Sequence, residues 1–292
     1  MTHEALDCEH ALSSALTDAA GPSCPPILAE ALRYAVFPGG ARVRPRLCLA
    51  VALANGGDDA ALTLSAACAI ELLHCASLVH DDLPCFDDAT LRRGKPTIHA
   101  RYGERIAVLT GDALIVAAFQ QLGKGTARSV HPSRAGLATA LIASGVGAPD
   151  GICAGQAWEC EPRVDVSRYH RAKTGALFVA STTAGAATAG VDHTPWVALG
   201  SAIGEAYQVA DDIHDATASH ATLGKQTGID VLLDRPSAVR ELGLDGAVQR
   251  LEQCIEKGVD AIPPCAGRDL LIKIVQKQSA RFFPTNADAP AA

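Results

Sequence analysis

The helix predicted over 62–82 ends in an acidic stretch, 80–88, that contains Asp81 and Asp87. Pro84 should end the helix just past the first aspartate, because proline lacks an amide hydrogen and disfavours helical geometry in the residue before it. Asp87 could then fold back toward Asp81. Several carboxylate oxygens around one point suit Mg²⁺, which prefers hard oxygen ligands and retains waters. For this cluster alone, the alternative is an acidic helix end that faces water.

A second acidic group lies about 130 residues further on, in the helix predicted over 195–217. Gln208, Asp211 and Asp215 fall on one side of this helix, since they are spaced i, i+3 and i+7. Two carboxylates at i, i+4 repel each other in water unless a cation lies between them. The flanking residues are apolar. Together the two groups could hold Mg²⁺ ions between facing helices of a bundle.

Basic side chains accompany both acidic groups. Arginine matches phosphate oxygens with two hydrogen bonds, and clustered Arg, Lys and Mg²⁺ describe a diphosphate site. A lone Arg or Lys is more often a surface residue, and a lone histidine is more often packed than functional. His74 is a stronger candidate for a functional residue because it lies on the Asp81 side of its helix. The further candidates are Arg44, Arg92, Arg93, Lys173, Thr174 and Lys225.

The elements that must position these residues are helices. Apolar residues recur with helical spacing, Gly and Pro mark the ends, and no region alternates long enough for a sheet. We therefore expect an all-α single domain over 1–292, with a frayed tail at 285–292. The predicted helices are 4–19, 26–36, 43–55, 62–82, 104–122, 133–147, 166–189, 195–217, 244–257 and 268–281.

Composition excludes several classes of protein. The 292 residues are 48% hydrophobic and carry a net charge of −7, which argues against nucleic acid as a partner. We find no uninterrupted apolar run for a transmembrane segment and no signal peptide. The ten cysteines include no C-x-x-C pair, which is typical of reduced cysteines in a cytoplasmic protein. Nucleotide-binding loops, zinc-protease motifs and serine-hydrolase motifs are missing from the sequence.

Taken together, these motifs resemble the trans-isoprenyl diphosphate synthase (polyprenyl synthetase) family. The stretch 80–87, followed by 91–97 (Leu-Arg-Arg-Gly-Lys-Pro-Thr), is highly specific, and so is Gln208 ahead of the second Asp motif. The resemblance covers the chain from Gly39 to beyond Lys225. It implies an orthogonal helical bundle around a central cavity, usually a homodimer. The implied reaction is Mg²⁺-dependent head-to-tail condensation of isopentenyl diphosphate with allylic diphosphates.

The resemblance also implies a role for each candidate, taking Asp81, Asp87, Arg92, Lys173, Asp211 and Lys225 as catalytic. Asp81 and Asp87 would bind two Mg²⁺ ions, and Asp211 with Asp215 a third. The allylic diphosphate would contact Arg92, Lys173, Gln208 and Lys225. Isopentenyl diphosphate would contact Arg44, His74 and Arg93. Thr174 and Gln208 would offer oxygens toward the developing cation.

The sequence departs from the family pattern at two places. The family's Gly-Gly-Lys reads Gly-Gly-Ala at 39–41, so a lysine expected at isopentenyl diphosphate is replaced by Ala41. Arg42 and Arg44 are the two candidates to compensate for it. The family's Gly-Gln-x-x-Asp ends in Glu159, which keeps the negative charge.

Product length in this family depends on side chains just before the first Asp motif. Here these are Ala76 and Ser77, both small, so we expect room for a twenty-carbon chain. The stretch 87–93 also resembles bacterial geranylgeranyl diphosphate synthases of carotenoid pathways. Farnesyl diphosphate is the alternative product.

Three other functions stay open. A terpene cyclase also ionises allylic diphosphates, but its second metal motif normally mixes Asn or Asp with Ser or Thr and Glu. A non-catalytic partner subunit of a prenyl synthase would fit Ala41, although such subunits usually lose an Asp motif. A helical scaffold without a site would leave the Asp211 and Asp215 pair unexplained.

Overall fold

The computed structural model describes residues 7–37, 40–217 and 237–283. These residues form a helical bundle, which confirms the predicted all-α fold. A hairpin of two-residue strands, β1 (Leu91–Arg92) and β2 (Lys95–Pro96), is the only sheet among them. The helices are α1 (Cys8–Ala20), α2 (Pro26–Val36), α3 (Val43–Ala54), α4 (Ala60–Asp81), α5 (Ile98–Tyr102), α6 (Glu104–Arg128), α7 (Ala135–Val146), α8 (Ile152–Trp158), α9 (Val166–His170), α10 (Ala176–Thr188), α11 (Val197–Thr217), α12 (Ala238–Asp260) and α13 (Arg268–Ser279).

Local sequence starts several of these helices. Asp59 caps α4 by accepting a hydrogen bond from the backbone N of Leu62 at 3.0 Å, and it also accepts from Ser129 and from the backbone N of His131. Asp7 and Asp165 cap α1 and α9 in the same way. An aspartate at this position satisfies an amide that has no partner within the helix. The capped starts therefore follow directly from the sequence.

The buried apolar side chains of the described residues form two clusters. One joins α1, α2, α4 and α6, and the other joins α3, α11, α12 and α13. Helix α10 contributes to both, since Leu177 packs in the first cluster and Phe178 in the second. Because the two clusters meet at α10, the elements next to its N-terminus are fixed from both sides. The prediction that residues 1–292 form one domain stays a prediction.

Helices α6 and α12 extend beyond their predicted bounds, 104–122 and 244–257, and three further elements differ in kind. The helix predicted over 166–189 is divided into α9, a π-helical turn (Arg171–Gly175) and α10. The short helices α5 and α8 were not predicted, because five to seven residues hold too few turns for a periodic pattern. The hairpin was also missed, although Arg93 and Gly94 occupy its turn with φ of 53° and 74°, and Gly at such a turn is a recognisable signal.

The cysteines are all free, and their burial varies widely. Five are buried: Cys8, Cys48, Cys68, Cys75 and Cys254. Burial raises the pKa of the Cys48 thiol to about 12, and an un-ionised thiol in a core packs as a small apolar group. Cys85, Cys153 and Cys160 are exposed.

In the part of the chain that the structure describes, two helices, α4 and α6, are long and apolar enough to cross a bilayer by length and composition. Helix α4 is mostly buried inside the protein, as the core helix of a soluble protein would be. This weak signal is consistent with a soluble protein, and the absence of a transmembrane segment stays a prediction.

Candidate active site

The end of α4 turns the first acidic stretch back on itself. The helix ends at Asp81, and the backbone N of Leu83 then donates to the carbonyl of His80 at 3.1 Å. The backbone N of Asp87 donates to the carbonyl of Asp81 at 3.0 Å. The fold-back expected from Pro84 is therefore present, and it brings the two predicted metal ligands together.

A third carboxylate joins Asp81 and Asp87. One oxygen from each of these residues and one from Glu159 lie within 4.8 Å of one another. Glu159 follows the last residue of α8, and Gln156 of the same helix donates to Asp81 Oδ1 at 3.3 Å. Oxygens gathered at this spacing around a partly buried point suit a hard divalent cation.

Lys173 supplies a positive charge to this acidic group. Its Nζ lies 3.1 Å from Asp81 Oδ1 and 2.7 Å from Glu159 Oε1. The Tyr169 hydroxyl donates to the same Glu159 oxygen at 2.6 Å. Burial alone would lower the pKa of Lys173, but Asp81 and Glu159 outweigh it and leave the pKa raised. The ammonium therefore stays charged at the place where the carboxylates converge.

The π-helical turn points Lys173 and its neighbour Thr174 at different partners. Thr174 Oγ1 donates to Gln208 Oε1 on α11 at 2.7 Å. The turn fits closely between two helices: a Cβ at Gly155 would overlap the backbone of Lys173, and one at Gly204 would lie 2.8 Å from the Cα of Gly175. Wide turns of this kind are common at functional sites. Here one turn connects the first acidic group to the helix of the second.

On α11 the adjacent residues Asp211 and Asp212 have different surroundings. Asp211 is exposed and Asp215 is partly buried, and both are on the side of the helix that the spacing predicted. Asp212 is buried, accepts from Gln208 Nε2 at 3.0 Å, and accepts from the backbone N of Ala238 at 2.7 Å. The second acidic group is thus tied to Gln208, to Thr174 and to the start of α12.

The hairpin holds the two arginines apart. Arg92 donates to both oxygens of the buried Asp82, with the shortest distance 2.6 Å from Nη2 to Oδ1. Burial alone would lower the pKa of Arg92, but Asp82 outweighs it and raises the pKa. The guanidinium of Arg93 instead reaches Gly40, since Arg93 Nη2 lies 2.7 Å from where a Cβ on Gly40 would be.

Arg44 and His74 form a second basic group. Arg44 is buried, its guanidinium carbon lies 4.3 Å from the centre of the Phe178 ring, and its Nη1 lies 3.4 Å from His74 Nε2. Arg44 Nε is buried without a hydrogen-bond partner in the described part of the protein. Burial, reinforced by Arg44, holds the pKa of His74 well below its usual range, so the imidazole is neutral beside the arginine.

Arg42 does not replace the missing lysine, contrary to one option left open by the sequence. Its guanidinium points into the protein, 2.6 Å from Glu71 and 2.8 Å from Glu9. It also donates to the carbonyl of Val36 at 2.8 Å. Hydrogen bonds to both glutamates hold the pKa of Arg42 above its usual range despite burial. Ala41 is exposed beside it, which leaves Arg44 as the other option offered by the sequence.

The two residues proposed to set product length lie five and four positions before Asp81, just over one helical turn away. Ala76 is buried in the first apolar cluster, and the Ser77 hydroxyl donates to the carbonyl of His74 at 2.8 Å. A separate cavity of about 1290 Å³ lies between α7, α10, α11 and α12, with Gln208 and Asp212 in its lining. Ala76 and Ser77 are not part of that lining. Their role in product length stays a prediction.

The structure therefore brings together most of the residues singled out from the sequence, while Lys225 lies outside the described residues. Sequence reasoning missed the contributions of Asp82, Gln156, Tyr169 and Asp212. Asp82 and Asp212 are second residues of Asp pairs, and helical spacing places them off the predicted metal side. The two Asp-Asp pairs in the sequence were the signal that could have identified Asp82 and Asp212.

Comparisons with known proteins agree with this geometry. The polyprenyl synthetase family model matches residues 25–262. The chain is 50% identical to the geranylgeranyl diphosphate synthase of Cereibacter sphaeroides, across 96% of this chain and 97% of the relative. It is 48% identical to the enzyme of the same name from Rhodobacter capsulatus, across 96% of each chain.

Solved structures give the same result for the fold. A geranyltransferase from Helicobacter pylori, solved with magnesium and isoprenyl diphosphate, matches with a TM-score of 0.78 at 28% identity, over 96% of this chain and 99% of that one. A geranyltranstransferase from Thermotoga maritima matches with a TM-score of 0.73 at 28% identity, over 96% and 99% of the two chains. The family match spans well over half of the sequence and both acidic motifs. This chain belongs to the polyprenyl synthetase family, and it is a prenyltransferase.

Proposed function

We propose that this protein is a geranylgeranyl diphosphate synthase that condenses isopentenyl diphosphate with allylic diphosphates up to twenty carbons. The observation that carries the proposal is the contact chain between the two acidic groups. Lys173 lies against Asp81 and Glu159, and its neighbour Thr174 is bonded to Gln208 one turn before Asp211. The names of the two bacterial relatives support the product.

The residues present fit a divalent metal. Asp81, Asp87 and Glu159 offer converging oxygens, and the ammonium of Lys173 shows that their environment favours a cation. Mg²⁺ suits such a site because it binds through one or two carboxylates, waters and substrate phosphates. Bound there, it would neutralise the charge of the departing diphosphate. We assign two ions to Asp81 and Asp87 and a third to Asp211 and Asp215.

The chain's own side chains supply the rest of the allylic site. Lys173 and Arg92 would bind diphosphate oxygens, and Lys225 is assigned to the same group by position in the sequence. Asp82 holds Arg92 in place by accepting two hydrogen bonds. A preorganised cation costs no reorganisation when negative charge develops on the leaving oxygen. Thr174 and Gln208 would face the allylic carbons.

Isopentenyl diphosphate is assigned to Arg44, His74 and Arg93. Arg44 has a buried Nε that lacks a described partner. A neutral His74 can donate a hydrogen bond to the diphosphate and does not compete with Arg44 for its negative charge. Attack by the double bond of this substrate on the allylic cation forms the new bond. Loss of a proton, taken up by the released diphosphate, completes the reaction. The reaction requires that water be kept from the cation, since water would convert it to an alcohol.

The test is a product analysis. The purified protein is incubated with Mg²⁺, labelled isopentenyl diphosphate and each short allylic diphosphate, and the dephosphorylated products are separated by length. A dominant twenty-carbon alcohol supports the proposal, whereas a fifteen-carbon alcohol would identify a farnesyl diphosphate synthase. Products formed without isopentenyl diphosphate would indicate a cyclase. Incorporation that requires a second, different subunit would indicate a partner subunit.

Product length is tested further by Ala76→Phe. Ala76 is 2% exposed and lies about 7.5 Å before Asp81 at 1.5 Å per residue. We propose that the growing chain passes this position, where a phenyl ring would block it. We expect the main product to shift from twenty to fifteen carbons with condensation retained. Ala69→Phe, two turns further from Asp81 in the same buried helix, controls for general overpacking. Unchanged product length in a folded Ala76→Phe protein would contradict the assignment.

We also propose a homodimer. Helix α6 exposes Val108, Leu109, Val116 and Phe119, which at 100° per residue lie within an arc of about 100°. An apolar helix face of this kind on a soluble protein is typical of an interface. A second copy is the occupant we favour, because isologous pairing of one face is the commonest way to cover it. A cytoplasmic location is proposed as well.

A further inference from the structure

A chain of hydrogen bonds runs from Asp212 through Gln208 to Thr174. Gln208 Nε2 donates to Asp212 Oδ1 at 3.0 Å, and Thr174 Oγ1 donates to Gln208 Oε1 at 2.7 Å. The other carboxylate oxygen, Asp212 Oδ2, accepts from the backbone N of Ala238 at 2.7 Å. Asp212 is 7% exposed. Three side chains on two elements are thus connected in a fixed order.

The direction of each bond follows from the chemistry of the groups. A carboxylate has no hydrogen to donate, so Gln208 must turn its NH₂ group toward Asp212. Its carbonyl oxygen then faces Thr174, and the Thr174 hydroxyl must donate to it. The hydrogen of that hydroxyl is therefore used. Thr174 Oγ1 and Gln208 Oε1 therefore have only lone pairs left for further interactions.

We propose that Asp212 is a positioning residue that fixes the polarity of the Thr174 and Gln208 pair, so that both oxygens present lone pairs to the allylic cation. This inference rests on the proposed function. Thr174 is adjacent in sequence to Lys173, whose Nζ lies 3.1 Å from Asp81, so the pair lies close to where the diphosphate would leave. Fixed dipoles that turn their negative ends toward developing positive charge lower the barrier to ionisation.

The substitution Asp212→Asn should reverse this polarity without removing the cap on α12. The backbone N–H of Ala238 can only donate, so the oxygen of the new amide stays beside it and the NH₂ group turns to Gln208. Gln208 must then rotate its own amide, and its NH₂ group donates to Thr174 Oγ1. The hydroxyl hydrogen of Thr174 is released and can point at the cation.

A second substitution should restore the original polarity. In the double variant Asp212→Asn with Gln208→Glu, the glutamate accepts from the new amide and from the Thr174 hydroxyl. The hydroxyl donates again, and the net charge equals that of the wild type. The single variant Gln208→Glu places two carboxylates side by side on one helix, where like charges repel. The double variant should therefore be more active than either single variant.

The experiment measures kcat and KM for both substrates in the wild type, the two single variants and the double variant. Asp212→Asn should lower kcat by about tenfold or more, while KM changes by less than about threefold. The double variant should recover most of the lost kcat. Asp7→Asn makes the same change at the exposed cap of α1 and should leave both constants unchanged. A merely structural role would not produce recovery by a second substitution.

Wild-type kcat in Asp212→Asn, or a double variant no better than the weaker single variant, would overturn the inference. Folding is checked by circular dichroism. If a single variant does not fold, Thr174→Val and Thr174→Ser replace it: the serine variant should keep kcat and the valine variant should lose it, and equal kcat in the two would overturn the inference. Absence of condensation by the wild type would instead refute the proposed function on which it rests.

Discussion

At the scale of single residues, each Asp pair divides between two tasks. Asp81 faces Glu159 and Lys173, whereas the next residue, Asp82, faces Arg92. On α11, Asp211 is exposed and Asp212 is buried against Gln208. Adjacent helical residues point about 100° apart, so one Asp pair can serve a metal and also fix a polar neighbour.

The role of Asp82 is tested by Asp82→Asn. The amide has one accepting oxygen instead of two and carries no charge, so the arginine loses its charge-assisted contact with both oxygens. We expect kcat/KM for the allylic diphosphate to fall by about tenfold or more, since hydrogen bonds to charged groups are worth about 1.5–3 kcal/mol. Steady-state kinetics measures this. Asp88→Asn, at an exposed aspartate in the same turn, should be near neutral, and equal losses in both would contradict the prediction.

The neutral imidazole of His74 predicts a pH dependence of stability. The folded protein holds the pKa of His74 well below 6.5, chiefly by burial, while the unfolded chain takes up a proton near pH ~6.5. Protonation therefore favours unfolding, so this contribution is present above that pH and is lost as the pH falls toward the lowered value. The loss approaches about 1.4 kcal/mol per pH unit.

Urea unfolding at pH 7.5, 6.5 and 5.5 measures the effect. His74→Gln, which has no titrating ring, should lose less stability than the wild type between the highest and the lowest pH. His10→Gln, at an exposed histidine of α1, should follow the wild type. A His74→Gln curve parallel to that of the wild type would show that His74 does not contribute.

At the scale of elements, the π-helical turn determines how the site is joined. It presents Lys173 to one acidic group and Thr174 to Gln208 of the other helix. The turn is held between Gly155 and Gly204, where neighbouring backbones come too close for a side chain. The position of Lys173 thus depends on glycines in two other helices.

Gly155→Ala tests this dependence. The new methyl group would overlap the backbone of Lys173, and a backbone cannot move aside as a flexible side chain can. We expect kcat to fall by about tenfold or more and the melting temperature to drop, because overpacking costs about 1–3 kcal/mol. Kinetics and thermal melting measure both. Gly123→Ala in α6 meets no atom within 4 Å and should be neutral or slightly stabilising.

Elements with a local signal could be predicted, and those that depend on tertiary contacts could not. Pro84 correctly indicated the end of α4, and the spacing of Gln208, Asp211 and Asp215 correctly placed them along α11. The break at Arg171–Gly175 carries no local signal, because it results from packing against α8 and α11. The contacts of Arg42 could not be predicted either, because Glu9 and Glu71 become its partners only in the folded chain.

At the scale of the whole molecule, α6 has two different sides. Its buried side packs against α4 in the first apolar cluster, while its other side exposes four large apolar residues. Asp112 lies within the same exposed arc. A face that mixes apolar and charged residues suits a soluble interface between two copies better than it suits lipid.

The homodimer is tested by Phe119→Lys. Phe119 is 52% exposed at the C-terminal end of this face, and a charge buried at an interface without a partner is strongly unfavourable. We expect light scattering to give the mass of a dimer for the wild type and a shift toward monomer for the variant. Leu270→Lys makes the same kind of change at a residue 50% exposed on α13 and should stay dimeric. A monomeric wild type would refute the proposal.

Because the cysteines differ in burial, their reactivity can report whether the protein is folded and whether its site is occupied. A thiol reagent added to the folded chain meets Cys85, Cys153 and Cys160 first, while Cys8, Cys48, Cys68, Cys75 and Cys254 become available only when the core opens. Cys85 lies in the turn between Asp81 and Asp87, and Cys160 follows Glu159. Mass spectrometry of the modified thiols would therefore follow unfolding and ligand binding without any engineered label. Modification of the core thiols would show when the protein unfolds. Protection of Cys85 and Cys160 would show that the site formed by Asp81, Asp87 and Glu159 is occupied.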